Sequence, residues 1–225
     1  MNLPKVKTDV VPIFPLPSVV FFPKTFLPLH IFESRYRQMV EDAVNGSNRI
    51  AMALLKDGWE NDYFGNPEVH SVGCVGEIQL SEKLADGKYN IMLYGLSRVK
   101  IVRFVQDNPY RIAEVKYLED FKFDHSVFDE SLESVRFVDL VRTYLNEVGI
   151  KDLDDLLKLN SQSLEAIVNQ CAAFLDLDTL EKQDLLSLDS VETRYDRLRQ
   201  IIEDKLKVLK IAKNVKYVPE DPRWN

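Results

Sequence analysis

Three histidines, His30, His70 and His125, two cysteines, Cys74 and Cys171, and 36 carboxylates are side chains with which this chain could ligate a metal or move a proton, and the sequence alone brings no two carboxylates together as an acid/base pair. The spacing of the histidines and cysteines argues against both. No histidine has a second His, Cys or carboxylate at the separation that makes a zinc site. Neither cysteine belongs to a C-x-x-C pair, so they read as two buried thiols in a reducing compartment. His30 lies among apolar residues in FLPLHIFE, as a core or rim histidine with one hydrogen bond does. No G-x-S-x-G elbow occurs, and no cysteine has a helper histidine close behind it. The Gly87-Lys88 pair has Glu82 where a phosphate-cradling loop needs its first glycine, and no G-x-G-x-x-G is present. The sequence therefore predicts no catalytic residue, no metal and no cofactor.

Binding chemistry is better represented. Glu33, Arg35, Tyr36 and Arg37 crowd the mouth of an expected helix. An arginine fork there can read a peptide's backbone or carboxylate. The alternative is a network that locks the helix against a sheet, since buried charges must be paired. Trp59, Tyr63 and Phe64 fall in the polar stretch KDGWENDYFGNPEVH. Aromatics in such a loop form a binding element, or else cover an open end of the fold. These seven residues are the candidate peptide-binding set.

The elements that must hold them change character along the chain. The segment FPLPSVVFFPKTFLPLHIFESRYRQMV, Phe14 to Val40, is apolar yet broken by proline, so it forms neither a long helix nor a membrane span. It predicts short strands at Val10–Phe14, Ser18–Phe22 and Phe26–Phe32, as edges, strand starts or bulges that plug a core. A helix follows, capped by Ser34 and stopped at Gly46. Further strands are expected at Arg49–Leu55, Val72–Leu84, Tyr89–Leu96, Arg98–Val105 and Tyr110–Leu118, with tight turns at Asp86-Gly87 and Asn108-Pro109. Strands at this spacing suggest a small barrel or sandwich.

Near Phe123 the apolar period becomes helical. Phe128, Leu132, Val135, Val138, Val141, Leu145 and Val148 form one stripe, stopped by Gly149. Leu153, Leu156 and Leu157 suggest a short helix, and Leu164 to Leu175 another behind Ser163. Asp178…Glu181 and Asp189…Glu192 have the form of capping boxes. The last helix is long, about 36 Å at the standard rise. Its stripe runs from Val191 to Leu209, and its charged opposite face reads as solvated rather than membrane-bound.

Composition limits the partners. With 225 residues the chain makes one large domain or two small ones. The net charge of −7 and pI near 5.1 speak against a nucleic-acid backbone, whose capture needs clustered Lys and Arg. No secretory leader and no transmembrane run is read, which predicts a cytoplasmic protein.

PIFPLPSVVFFPKTFLPLHIFESRYRQMVEDAV resembles the start of the Lon protease N-terminal, or substrate-binding, domain family. The correspondence runs through Pro12–Pro17, Phe22-Pro23, Leu27–Leu29, Ile31–Glu33 and Arg35-Tyr36. GCVGEIQ, RFVQDNPYRIAEV and the helical QCAAFLDLDTLEKQDLLSLDSVETRYDRL are also similar, so that the resemblance spans about residues 8 to 210. It implies an α+β fold. A PUA-like β-barrel with one inserted helix (8–120) would be followed by an α-helical bundle (124–213) and an irregular tail (214–225). It implies a role in binding unfolded or exposed polypeptide segments, with a separate protease as a further partner. The chain stops at Asn225 without the ATPase and Ser-Lys protease motifs of full Lon, so the expected role is recognition without catalysis. An RNA-binding PUA-like protein and a hydrolase with a scattered site are the alternatives.

Overall fold

A computed structural model describes residues 7–62, 65–120, 128–150 and 163–215. The strands are β1 (Thr8–Leu16), β2 (Phe26–Ile31), β3 (Arg49–Leu54), β4 (Val72–Lys83), β5 (Tyr89–Gln106) and β6 (Ile112–Tyr117). They hydrogen-bond in the order β2-β5-β4-β3-β1-β6, and β6 returns to pair with β5. Strands β5, β4, β3, β1 and β6 thus close a barrel, and β2 hangs outside it on the first half of β5. The β1–β3 pair is parallel and the others antiparallel. Small side chains fill the narrow lumen: Val11, Ile13, Ala51, Ala53, Val75, Val99, Ala113 and Val115.

Proline is accommodated differently from expectation. β1 runs unbroken through Pro12 and Pro15 and has neighbours on both sides. Its first half, Thr8–Pro12, pairs with β6, and its second half, Ile13–Leu16, pairs with β3. Each half carries one strand ladder, so a proline's missing N–H need not face a second one. The strand expected at Ser18–Phe22 is not formed; this stretch is irregular. The reason lies in its side chains. Phe21 packs into the core beneath helix α1 (Ser34–Val44), whereas Phe22 packs among the C-terminal helices. Two consecutive phenylalanines serve two cores.

The strands expected at Tyr89–Leu96 and Arg98–Val105 are one long strand. Against β4, Val75 faces Ser97 and Gly76 faces Gly95, so Leu96 is the extra residue of a bulge. The bulge bends β5 and shifts its alternation, which in sequence imitates a strand end. Gly95 sits there because a Cβ would lie 2.1 Å from the Phe22 carbonyl oxygen.

Helix α1 buries Tyr36, Met39, Val40 and Ala43. Ser34 is its first residue, not its cap. Glu33 holds the N-cap position but makes no capping bond, and its carboxylate binds Arg35 instead. The stop is at Asn45, with Asn48 at φ 60° donating to the Ala43 carbonyl, rather than at Gly46.

The remaining helices are α2 (Glu130–Glu147), α3 (Leu164–Phe174), α4 (Thr179–Ser187) and α5 (Val191–Val215). Asp129 and Ser163 cap α2 and α3, and Asp178 with Glu181 completes a capping box on α4. At the end of α2, the Gly149 and Ile150 amides bond back to Asn146 and Leu145, with Gly149 at φ 81°. The box expected at Asp189 is displaced by one residue: the Ser190 hydroxyl accepts from the Thr193 amide. The α2 stripe also differs. Leu132 and Val135 are exposed, and burial begins at Phe137 and continues through Val138, Val141, Tyr144 and Leu145. The short helix expected at Leu153–Leu157 lies outside the described residues.

Barrel and bundle are joined by polar as well as apolar contacts. Asp120 takes both Arg98 of β5 and Arg194 of α5, at 2.6 and 2.5 Å. The two guanidinium groups also donate to the Leu186 and Leu188 carbonyls. Both arginines are buried, at 2% and 0% exposure. Gln183 of α4 donates to the Val72 carbonyl, and Lys24 pairs with Glu165 of α3.

Candidate functional site

Part of the expected site converges on a cleft of about 140 Å³. Strand β2 leads through Phe32 into Glu33 and α1, which presents Arg35 and Tyr36 to the cleft. The far walls are Pro15–Pro17, Asn66-Pro67 and the Asp107–Arg111 turn. Arg35 Nε donates to Glu33 Oε2 at 3.0 Å, and the Arg35 guanidinium lies 4.7 Å over the Tyr36 ring. Tyr36 in turn packs 4.3 Å from Phe14. Opposite, Arg111 donates to the Pro67 carbonyl at 2.8 Å and stacks 3.5 Å over Phe104. Asp107 lies 3.9 Å from Arg111. Burial lowers the Arg111 pKa, while the Asp107 carboxylate opposes that shift. Each guanidinium of the cleft stands beside a carboxylate, so the cleft is charge-matched and its walls are held by internal bonds.

Other expected residues go elsewhere. Arg37 is on a different side of α1, against the β4–β5 turn at Gly87. Trp59 is half-buried in a short 3₁₀ turn, Trp59–Asp62, and does not line the cleft. Tyr63 and Phe64 lie outside the described residues, as does His125. His30 is exposed, and its Nδ1 is 2.8 Å from Asn90 Oδ1. Cys74 and Cys171 are free and buried; desolvation pushes both thiols up, Cys171 to about 12. Among the described residues, no group of three His, Cys, Asp or Glu side chains could hold a metal. None of the described helices is long and apolar enough to cross a membrane.

A second surface was not anticipated. Where β2, the first half of β5 and the second half of β4 lie side by side, one face carries Ile78, Ile91 and Leu93 into the core beneath α1. The other face is open. On it Phe26 pairs with Tyr94, Pro28 with Met92 and His30 with Asn90. Leu80 and Glu82 continue the Met92 and Asn90 rows, and Glu77 continues the Tyr94 row. The Phe26 and Tyr94 rings are 5.0 Å apart. Phe26 is 57% and Leu80 62% exposed, and Phe32, stacked on His30, is 60% exposed. Among the described residues β2 has β5 as its one strand neighbour, so its outer edge faces no other strand. The sequence held a signal in FLPLHI and NIMLY. Both alternate positions are apolar there, which reads as a strand covered on both faces. The structure covers one.

A small closed barrel carrying an extra edge strand and a helical bundle defines an α+β scaffold with an open apolar sheet face. Solved structures share the fold. The N-terminal domain of a Mycobacterium avium complex Lon protease superposes with a TM-score of 0.68 at 16% identity, covering 87% of this chain and 99% of that one. A Lon N-terminal domain protein from Xanthomonas campestris gives 0.58 at 22% identity, covering 87% and 98%. Residues 10–204 match the ATP-dependent protease La (LON) substrate-binding domain, and the chain belongs to that family. It is 26% identical over 212 residues to the Lon protease of Anaeromyxobacter dehalogenans, covering 92% of this chain and 24% of that protein. For the Escherichia coli Lon protease the values are 25% over 229 residues, 96% and 27%. The chain thus spans about a quarter of the length of these Lon proteases.

Proposed function

We propose that this chain is a non-catalytic polypeptide-binding module that receives unfolded or exposed segments of other proteins, in the cytoplasm. The observation that carries the reading is the open face of β2, β5 and β4, where Phe26 and Leu80 stand more than half exposed over a sheet edge. Apolar area of this kind in water is costly and marks an interaction surface. An extended segment can lay alternate side chains on it and bond its backbone to the free edge of β2. The barrel of residues 8–120 would be the receptor and the bundle of 124–213 its brace. Glu33, Arg35 and Tyr36, which follow β2 directly, would form the rim at one end of the bound segment. Arg37 and Trp59 stand apart from that rim.

The test is a titration of a permanently unfolded protein and short apolar peptides into the chain, followed by fluorescence anisotropy. The expected result is saturable binding that Phe26→Asp or Leu80→Asp weakens at least tenfold while the thermal melt stays in place. Binding that both variants retain, or its absence up to millimolar peptide, contradicts the reading. A salt-sensitive preference for RNA over peptide would contradict it as well.

A further inference from the structure

We propose that the open sheet face selects extended apolar segments flanked by lysine or arginine, and rejects those flanked by acidic residues; this rests on the polypeptide-binding reading above. Charge complementarity is the basis. The register of β2, β5 and β4 puts nine side chains on this face around Pro28, Met92 and Leu80. Among them the charged ones are Glu77, in the Tyr94 row, and Glu82, in the Asn90 row. They stand at opposite ends of the apolar patch, roughly 15 Å apart at the ordinary strand rise. The extended chain needs about five residues for that distance.

Neighbouring cations are committed elsewhere. Arg49 faces Glu77 across β3 and β4, yet its guanidinium turns to Asp9 and the Tyr117 hydroxyl, at 3.4 and 3.5 Å. Lys24, just before Phe26, pairs with Glu165 at 2.5 Å. Lys83 is on the opposite side of β4, with Glu41 and the Tyr89 ring. Glu77 accepts from Gln79 Nε2 at 2.8 Å, a neutral donor that leaves its charge in place. The face therefore presents grease bracketed by two negative charges, on a chain whose net charge is −7. An incoming segment with cations at both ends places them against Glu77 and Glu82, and one with carboxylates there is repelled.

The experiment uses the whole chain and three fluorescein-labelled peptides with one apolar core, flanked by lysine, serine or glutamate pairs. Anisotropy at low salt is expected to rank them lysine, serine, glutamate, with about tenfold between first and last from two solvent-exposed pairs. The gap should narrow at 0.5 M NaCl. The double variant Glu77→Lys, Glu82→Lys should reverse the order, and Phe26→Asp should abolish binding of all three. Circular dichroism melts verify that each variant is folded. Equal affinity for the three peptides, lost in Phe26→Asp, overturns the charge selection and leaves the polypeptide reading standing. No binding of any peptide, or binding indifferent to Phe26→Asp, overturns both. A dimer in sedimentation velocity that Phe26→Asp dissolves makes a second copy of the chain the occupant, and overturns the proposal.

Discussion

Tyr195 and Glu133 show how a single contact ties residue chemistry to stability. Burial raises the Tyr195 pKa above its usual 10.0, and the Glu133 hydrogen bond adds to the shift. Tyr110 is moved in the same direction to about 12, by burial first and by Asp42 second. Cys171 goes to about 12 by burial alone. In each case the fold favours the protonated form. The stability from these groups is fully present below their unfolded pKa values, near 9 to 10, and is lost as pH rises through the folded values. The urea midpoint should therefore hold up to about pH 9 and fall steadily between pH 9 and 12. A midpoint unchanged at pH 11 would contradict the assignment. Single residues were the least legible level in the sequence. Glu33, Arg35 and Tyr36 form a cluster in the sequence and share a cleft, because one helix turn and one strand end suffice to bring them together. Adjacency alone groups Arg37 with them, but successive helical residues are turned about 100° apart, and it faces the β4–β5 turn.

At the scale of elements, the proline-rich stretch explains the assembly. Phe21 enters the core beneath α1 and Phe22 the helical core, so the segment rivets barrel to bundle. Truncation by Phe22→Ala should cost about 3–5 kcal/mol. The loss should appear first as faster amide exchange in α3 and α5, with the barrel strands less affected. Uniform exchange across barrel and bundle in that variant would contradict the rivet. Most elements were legible because their signals are local: period, caps and turns. The Asp178–Glu181 box and the Gly149 stop formed where the sequence put them. The failures share a physical cause. The Leu96 bulge imitates a strand end, Ser18–Phe22 has strand composition but is claimed by two cores, and Leu132 and Val135 keep the helical period without a partner to bury them. Local pattern says what an element could bury, and tertiary packing decides what it does bury.

At the scale of the molecule, the barrel is supported rather than free-standing. Asp120 holds two buried guanidinium groups, one from each lobe, and removing one partner from such a set leaves a charge without compensation. Through Arg98 this set ties β5, the strand that also carries Asn90, Met92 and Tyr94 of the open face, to the bundle. Family membership follows from residues 10–204, and the α+β architecture implied by the opening motif is the one formed. The open face itself was not legible, because its strands are apolar on both sides.

The most direct measurement is hydrogen exchange of the whole chain with and without a saturating unfolded polypeptide. The account predicts added protection on β2 and on the paired stretches of β5 and β4, from Phe26–Ile31, Tyr89–Tyr94 and Glu77–Lys83. Protection confined to the helical bundle, or none at saturation, would contradict it.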